Sequence, residues 1–197
     1  MEKHRRSIRL KEYNYSRAGA YFVTVCSQDK NNVFWKEIIK GENMVSPVRL
    51  NEIGFMVEKW WEKIFKKYED EIKMDEYVIM PNHIHGIIHI VGANPCIRPL
   101  KEDIRPNKSR IKNTYQGIGR YVSWFKRMST NEYIRHVKDD GWARFEKPLW
   151  QRNYYEHIIR DEKDLNRIRE YIQNNPLNWT DDRYYVEKGG NNYAQKT

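Results

Sequence analysis

Cysteine is nearly absent: Cys26 and Cys96 are the only two in 197 residues, far apart and in no Cys-x-x-Cys spacing. Neither a disulfide framework nor a zinc knuckle built on paired thiolates is indicated, and a reducing cytoplasm is the expected location. Long apolar runs are missing as well. The charged start Met1-Glu2-Lys3-His4-Arg5-Arg6 leads into no apolar stretch, and nothing approaches the length needed to cross a bilayer, so no signal peptide or membrane span is expected. No internal repeat is visible. Acidic residues are in deficit, with 27 Asp plus Glu against 36 Lys plus Arg, a formal charge of +9. Such a surface favours a polyanion.

Aromatic residues, by contrast, are plentiful at 14%, including 14 Tyr and 7 Trp. Stacking surface together with positive charge suits single-stranded nucleic acid, although a basic protein with an aromatic core has the same composition. The length fits one domain. Residues 1–18 form a basic arm with Arg5 and Arg6 able to reach a phosphate backbone, 19–180 the folded domain, and 181–197 a tail. Residues 92–117 hold three prolines and six basic residues against two acids. This long segment has neither helical nor strand period and is expected to be a loop whose Arg98, Lys108, Arg110 and Lys112 contact nucleic acid.

Periodicity gives the elements. Ala20–Cys26 reads as a strand, about 48–68 as an amphipathic helix, 73–80 and 84–91 as neighbouring antiparallel strands, 118–138 as a helix with Lys126 and Arg127 on its flank, and 149–159 as a fourth strand. A last helix begins after Asp161 and ends where Pro176 disfavours helical geometry at Asn175. Strand, helix, strand, strand, helix, strand, helix predicts an α+β, ferredoxin-like fold: a four-stranded antiparallel sheet with helices on one face and an additional C-terminal helix. The other face is expected to be free.

The chemistry is concentrated in Met80-Pro81-Asn82-His83-Ile84-His85-Gly86. Strand alternation puts His83, His85, Ile87 and His89 on one face and Ile84, Gly86, Ile88 and Ile90 on the other. The isoleucine face should meet the core, leaving the histidines on the free face. Two neighbouring imidazoles can grip one metal ion or be ordinary surface histidines. On the last helix Tyr171 and Asn175 share a side, with Arg167 one turn earlier. The set predicts phosphodiester exchange: His83, His85 and the Asn175 amide oxygen as metal ligands, Tyr171 as the nucleophile, and the cation, helped by Arg167, favouring its phenolate. His89 lies about 13 Å beyond His85, too far for the same ion. Tyr154, Tyr155 and His157 have no such partners.

Met80-Pro81-Asn82-His83-Ile84-His85 resembles the HUH motif, and Tyr171-Ile172-Gln173-Asn174-Asn175-Pro176 resembles the single-tyrosine motif that accompanies it. Arg5-Arg6-Ser7-Ile8-Arg9-Leu10 with Gly19-Ala20-Tyr21-Phe22-Val23-Thr24, and Trp150 through Arg160, are similar to further blocks of the transposases associated with repetitive extragenic palindromes (REP). The resemblance implies a single-strand DNA transposase that recognises palindromes folded as hairpins and cuts and rejoins DNA through a 5′-phosphotyrosine. It also implies magnesium or manganese, His83 and His85 as ligands, and Tyr171 as the attacking residue. Two imidazoles favour manganese by softness. Asn175 stands where insertion-sequence relatives carry glutamine, and the 92–117 loop exceeds that of compact members. The expected partner is single-stranded or hairpin DNA, the expected state a monomer or homodimer. The rival outside enzymology is a module that holds hairpin nucleic acid without cutting it; a replication initiator or relaxase would carry further domains.

Overall fold

The computed structural model describes residues 18–28, 33–36, 50–91, 117–144 and 148–186. Arg5, Arg6, Arg98, Lys108, Arg110 and Lys112, with most of the arm, loop and tail to which they were assigned, lie outside the described residues. The elements are β1 (Gly19–Cys26), α1 (Glu52–Lys67), β2 (Ile72–Ile79), β3 (His83–Ile90), α2 (Ile118–Asp139), β4 (Tyr155–Ile159) and α3 (Glu162–Asn174), then a 3-10 turn at Trp179–Asp181. All neighbours in the sheet are antiparallel, in the order β2-β3-β1-β4. The predicted element order and the four-stranded antiparallel sheet are both found.

α1 begins where Asn51, its N-cap, accepts a hydrogen bond from the Gly54 amide. Its apolar stripe, Met56, Val57, Trp61, Ile64 and Phe65, packs with Val122 and Phe125 of α2 on the sheet face that carries Tyr21, Val23, Val25, Ile84, Ile88 and Ile90. This is the isoleucine face of β3, as the alternation required. Gly86 lies in the middle of it because Trp61 fills the space a side chain would need. A Cβ there would sit 2.4 Å from Trp61 Cζ2.

The opposite face is not free, which corrects the sequence reading. Phe22, Ile87 and Ile159 form a second apolar cluster with Ile168 and Ile172 of α3. An amphipathic helix must bury its stripe, and the apolar residues interspersed with the histidines offer it a place. Polar clamps fix the helix there. Arg169 donates from Nε and Nη2 to the two carboxylate oxygens of Asp75, at 2.9 and 2.6 Å, and His89 Nε2 lies 2.6 Å from Asp75 Oδ2. Asp75 is turned toward the helix by a register shift between Met74 and Tyr77, a β-bulge. At the other end of the helix His157 Nε2 bonds Asp164 Oδ2 at 2.7 Å. His89 and His157 are thus fasteners of α3.

Two further boundaries differ from expectation. The fourth strand is shorter: Trp150 makes only an isolated bridge with Ser27, and regular pairing begins at Tyr155. Asn175, although it precedes Pro176, keeps helical dihedrals of −58° and −41°. The chain therefore continues in turns, with Leu177 and Asn178 amides bonding the Asn174 carbonyl, and does not straighten. This curl brings the chain after α3 back over the histidines, where Trp179 packs among Trp35, His83 and Tyr185.

Candidate active site

The pairing of β3 with β1 sets His83 opposite Cys26 and His85 opposite Thr24. The two rings lean together until their Nε2 atoms are 2.9 Å apart. Their outer nitrogens are fixed by neighbours. Asn82 donates from Nδ2 to the Tyr184 carbonyl at 2.9 Å, so its Oδ1, 2.8 Å from His83 Nδ1, is an acceptor. His83 therefore carries its proton on Nδ1 and turns the lone pair of Nε2 inward. Thr24 Oγ1 lies 2.8 Å from His85 Nδ1 and can donate or accept, which leaves His85 able to offer Nε2 in turn. Both rings are almost wholly buried. Burial, reinforced at His83 by the neighbouring His85, pushes their pKa values below the usual imidazole range. The shift favours the neutral imidazoles, the form that keeps a nitrogen lone pair free to bind a cation.

α3 brings Tyr171 to this pair. Its hydroxyl is 3.2 Å from His85 Nε2. The Phe22 ring stacks on His85 at 5.2 Å and meets Tyr171 edge-on at 6.1 Å, spacing the two. Tyr171 remains 42% exposed, so the phenol looks outward while its hydroxyl reaches in. Partial burial raises its pKa, as does the charge of Asp182; the hydrogen bond with Asn175 and the charge of Arg183 work the other way. One turn on, Asn175 is 4% exposed and donates from Nδ2 to Asp182 Oδ2 at 3.2 Å. Its Oδ1 is buried and has no hydrogen-bond partner among the described residues.

By sequence Asp182 falls only in the tail of residues 181–197. The curl after α3 places its Oδ2 4.0 Å from His85 Nε2, and His83, His85 and Asp182 form a group whose ligand atoms lie within 4.8 Å of one another. Burial alone would raise its carboxyl, but the pull of the histidines and the hydrogen bond from the Tyr184 amide hold it at about 2. Tyr184 lies over His83 with centroids 4.7 Å apart. Arg183 sits over the rings of Tyr184 and Tyr155, 4.7 and 5.8 Å from their centroids.

Two imidazole nitrogens, a carboxylate and an orphaned amide oxygen make a mixed N/O donor set suited to a divalent cation, and a buried oxygen without a partner is costly unless something fills that role. The residues fit a metal ion. The other predicted contacts are dispersed. Lys126 is committed to the carbonyls of Gln151 and Asn153, at 2.9 Å each, and burial pushes its pKa down to about 8. Arg127 is exposed on α2, and Arg167 is exposed but paired with Asp164 at 2.6 Å.

No protein-family model matches the chain. An uncharacterized protein of Haemophilus influenzae is 43% identical over 189 residues, covering 93% of this chain and 94% of that one. A second Haemophilus influenzae protein, named as a REP-associated tyrosine transposase, is 25% identical over 166 residues, covering 83% and 73%. Among solved structures, a REP-associated tyrosine transposase bound to a REP hairpin shares the fold with a TM-score of 0.50 at 18% identity, over 91% of this chain and 74% of that one. The chain is thus similar over most of its length to a protein carrying the REP-associated transposase name, and it shares the fold of the hairpin-bound one.

Proposed function

We propose that the protein is a metal-dependent single-strand DNA transposase that recognises hairpin DNA, and cleaves and rejoins it through a 5′-phosphotyrosine on Tyr171. The observation that carries this reading is the convergence of the Tyr171 hydroxyl on the His83–His85 pair from a separate element. One of its two sequence relatives is named as a REP-associated tyrosine transposase, and the solved structure that shares its fold holds a REP hairpin.

The chain's own groups suit the chemistry. His83, His85 and Asp182 would hold the cation, with the Asn175 amide oxygen completing the set, and Asn82 and Thr24 keep the two rings turned so that Nε2 can face it. A bound magnesium or manganese supplies Lewis-acid stabilisation of charge on the scissile phosphate. Tyr171 attacks phosphorus, the P–O3′ bond breaks, and the strand leaves with a 3′-hydroxyl, so the ester bond is conserved and a second 3′-hydroxyl can reverse the step without an external energy source. Phe22 and the stripe of α3 hold the phenol in line.

The test uses hairpin-forming single-stranded DNA from the flanks of the protein's own gene. Tyr171→Phe is expected to keep hairpin binding and abolish a detergent-stable adduct, while His83→Ala and chelator each abolish cutting. An adduct in Tyr171→Phe would place the nucleophile elsewhere. Hairpin binding by the wild type with no cutting would leave only a nucleic-acid-binding module.

A further inference from the structure

The reading above leaves the scissile phosphate facing the Asp182 carboxylate, and two like charges in a half-buried site repel. Resting on that reading, we propose that Arg183 grips the non-bridging oxygens of this phosphate. Sequence periodicity pointed to Arg167 as the cation near Tyr171, but Arg167 is spent on Asp164. Arg183 differs in three respects. It follows Asp182 directly, so the turn that delivers the carboxylate delivers the guanidinium. It is exposed and, among the described residues, paired with no carboxylate. Its guanidinium carbon lies 4.7 and 5.8 Å from the ring centroids of Tyr184 and Tyr155, contacts that do not consume its N–H donors.

These two rings place it at the rim. Tyr184 covers His83, and Tyr155 pairs in register with Thr24, the residue that holds His85. Its charge is felt at His83, His85 and Tyr171 alike. A phosphodiester with its phosphorus before the Tyr171 hydroxyl would present its free oxygens on this side. A planar fork of donors matches two such oxygens, and the match tightens as negative charge builds on them during attack. The covalent step is unchanged: the Tyr171 oxygen bonds phosphorus, the 3′ oxygen leaves and gains the proton that the phenol lost, and Arg183 neither gives nor takes one.

The experiment compares wild type, Arg183→Gln and Arg183→Lys as full chains, on the same hairpin strand with either a normal or a methylphosphonate linkage at the cleavage position. Arg183→Gln is expected to bind the hairpin as wild type does and to form adduct more slowly by a factor on the order of 100. Lysine should restore part of the rate, because it keeps charge but not the fork. Methylphosphonate, which lacks one charged oxygen, should slow wild type more than Arg183→Gln, because in the variant the interaction is already gone. Adduct formation by Arg183→Gln at the wild-type rate, or equal sensitivity of both proteins to methylphosphonate, overturns the proposal while leaving Tyr171 as nucleophile. A wild type that makes no adduct at all overturns the function as well.

Discussion

Between His85 and Ile87 the strand carries no side chain, and the indole of Trp61 occupies the place one would take. Trp61 is fully buried between sheet and α2, where it meets Phe125 edge-on at 5.5 Å, so it cannot withdraw without disturbing α2. Gly86→Ala should therefore cost about 1–3 kcal/mol of stability through overpacking, read as a fall in the denaturant midpoint, with a loss of metal affinity as the neighbouring His85 shifts. At this scale the sequence was legible where a short-range period operates. Alternation identified the histidine pair, and four-residue spacing identified Tyr171 with Asn175. Asp182 and Arg183 obey no such rule. They sit in an Asp-Asp-Arg turn, and it is the curl through Pro176 and the burial of Trp179 that bring Asp182 to the histidines and leave Arg183 exposed beside it.

α3 is the element on which the site depends, and its attachment is narrow: Ile168 and Ile172 against Phe22, Ile87 and Ile159, with the Asp75 and Asp164 clamps at its flanks. Ile172 is 1% exposed and lies next to Tyr171 in the chain. Ile172→Ala should destabilise the fold by about 2–5 kcal/mol, measured by denaturant unfolding, and should depress adduct formation even under conditions where the sheet remains folded. The helix itself and its apolar stripe were readable from periodicity. Its destination was not, because a stripe shows that a helix must be covered and leaves open by what. The histidine strand looked free for the same reason: Ile87 was counted singly, while Phe22 and Ile159, which complete its cluster, come from two other strands.

For the whole molecule, the charged groups that join distant parts of the chain predict sensitivity to acid. Asp75, where burial is outweighed by hydrogen bonds from Arg169 and His89, and Asp182 are both held at about 2. Their folded pKa values lie below the unfolded ones, so their contribution is present above about 4 and is lost as pH falls toward about 2. His83 and His85 are buried neutral with lowered values, so the unfolded chain takes up protons first and stability starts to decline below about 6.5. Thermal melts should show a decline in two stages, the first near neutrality and the second in strong acid. His83→Ala should remove much of the first and leave the second.

Every strand of the sheet precedes α3, and Asp182 follows it. During synthesis the imidazoles emerge from the ribosome well before the phenol, and the carboxylate comes later still. A message that terminates before α3 would thus yield a polypeptide holding the imidazole pair without the phenol and the carboxylate that the folded chain sets beside it.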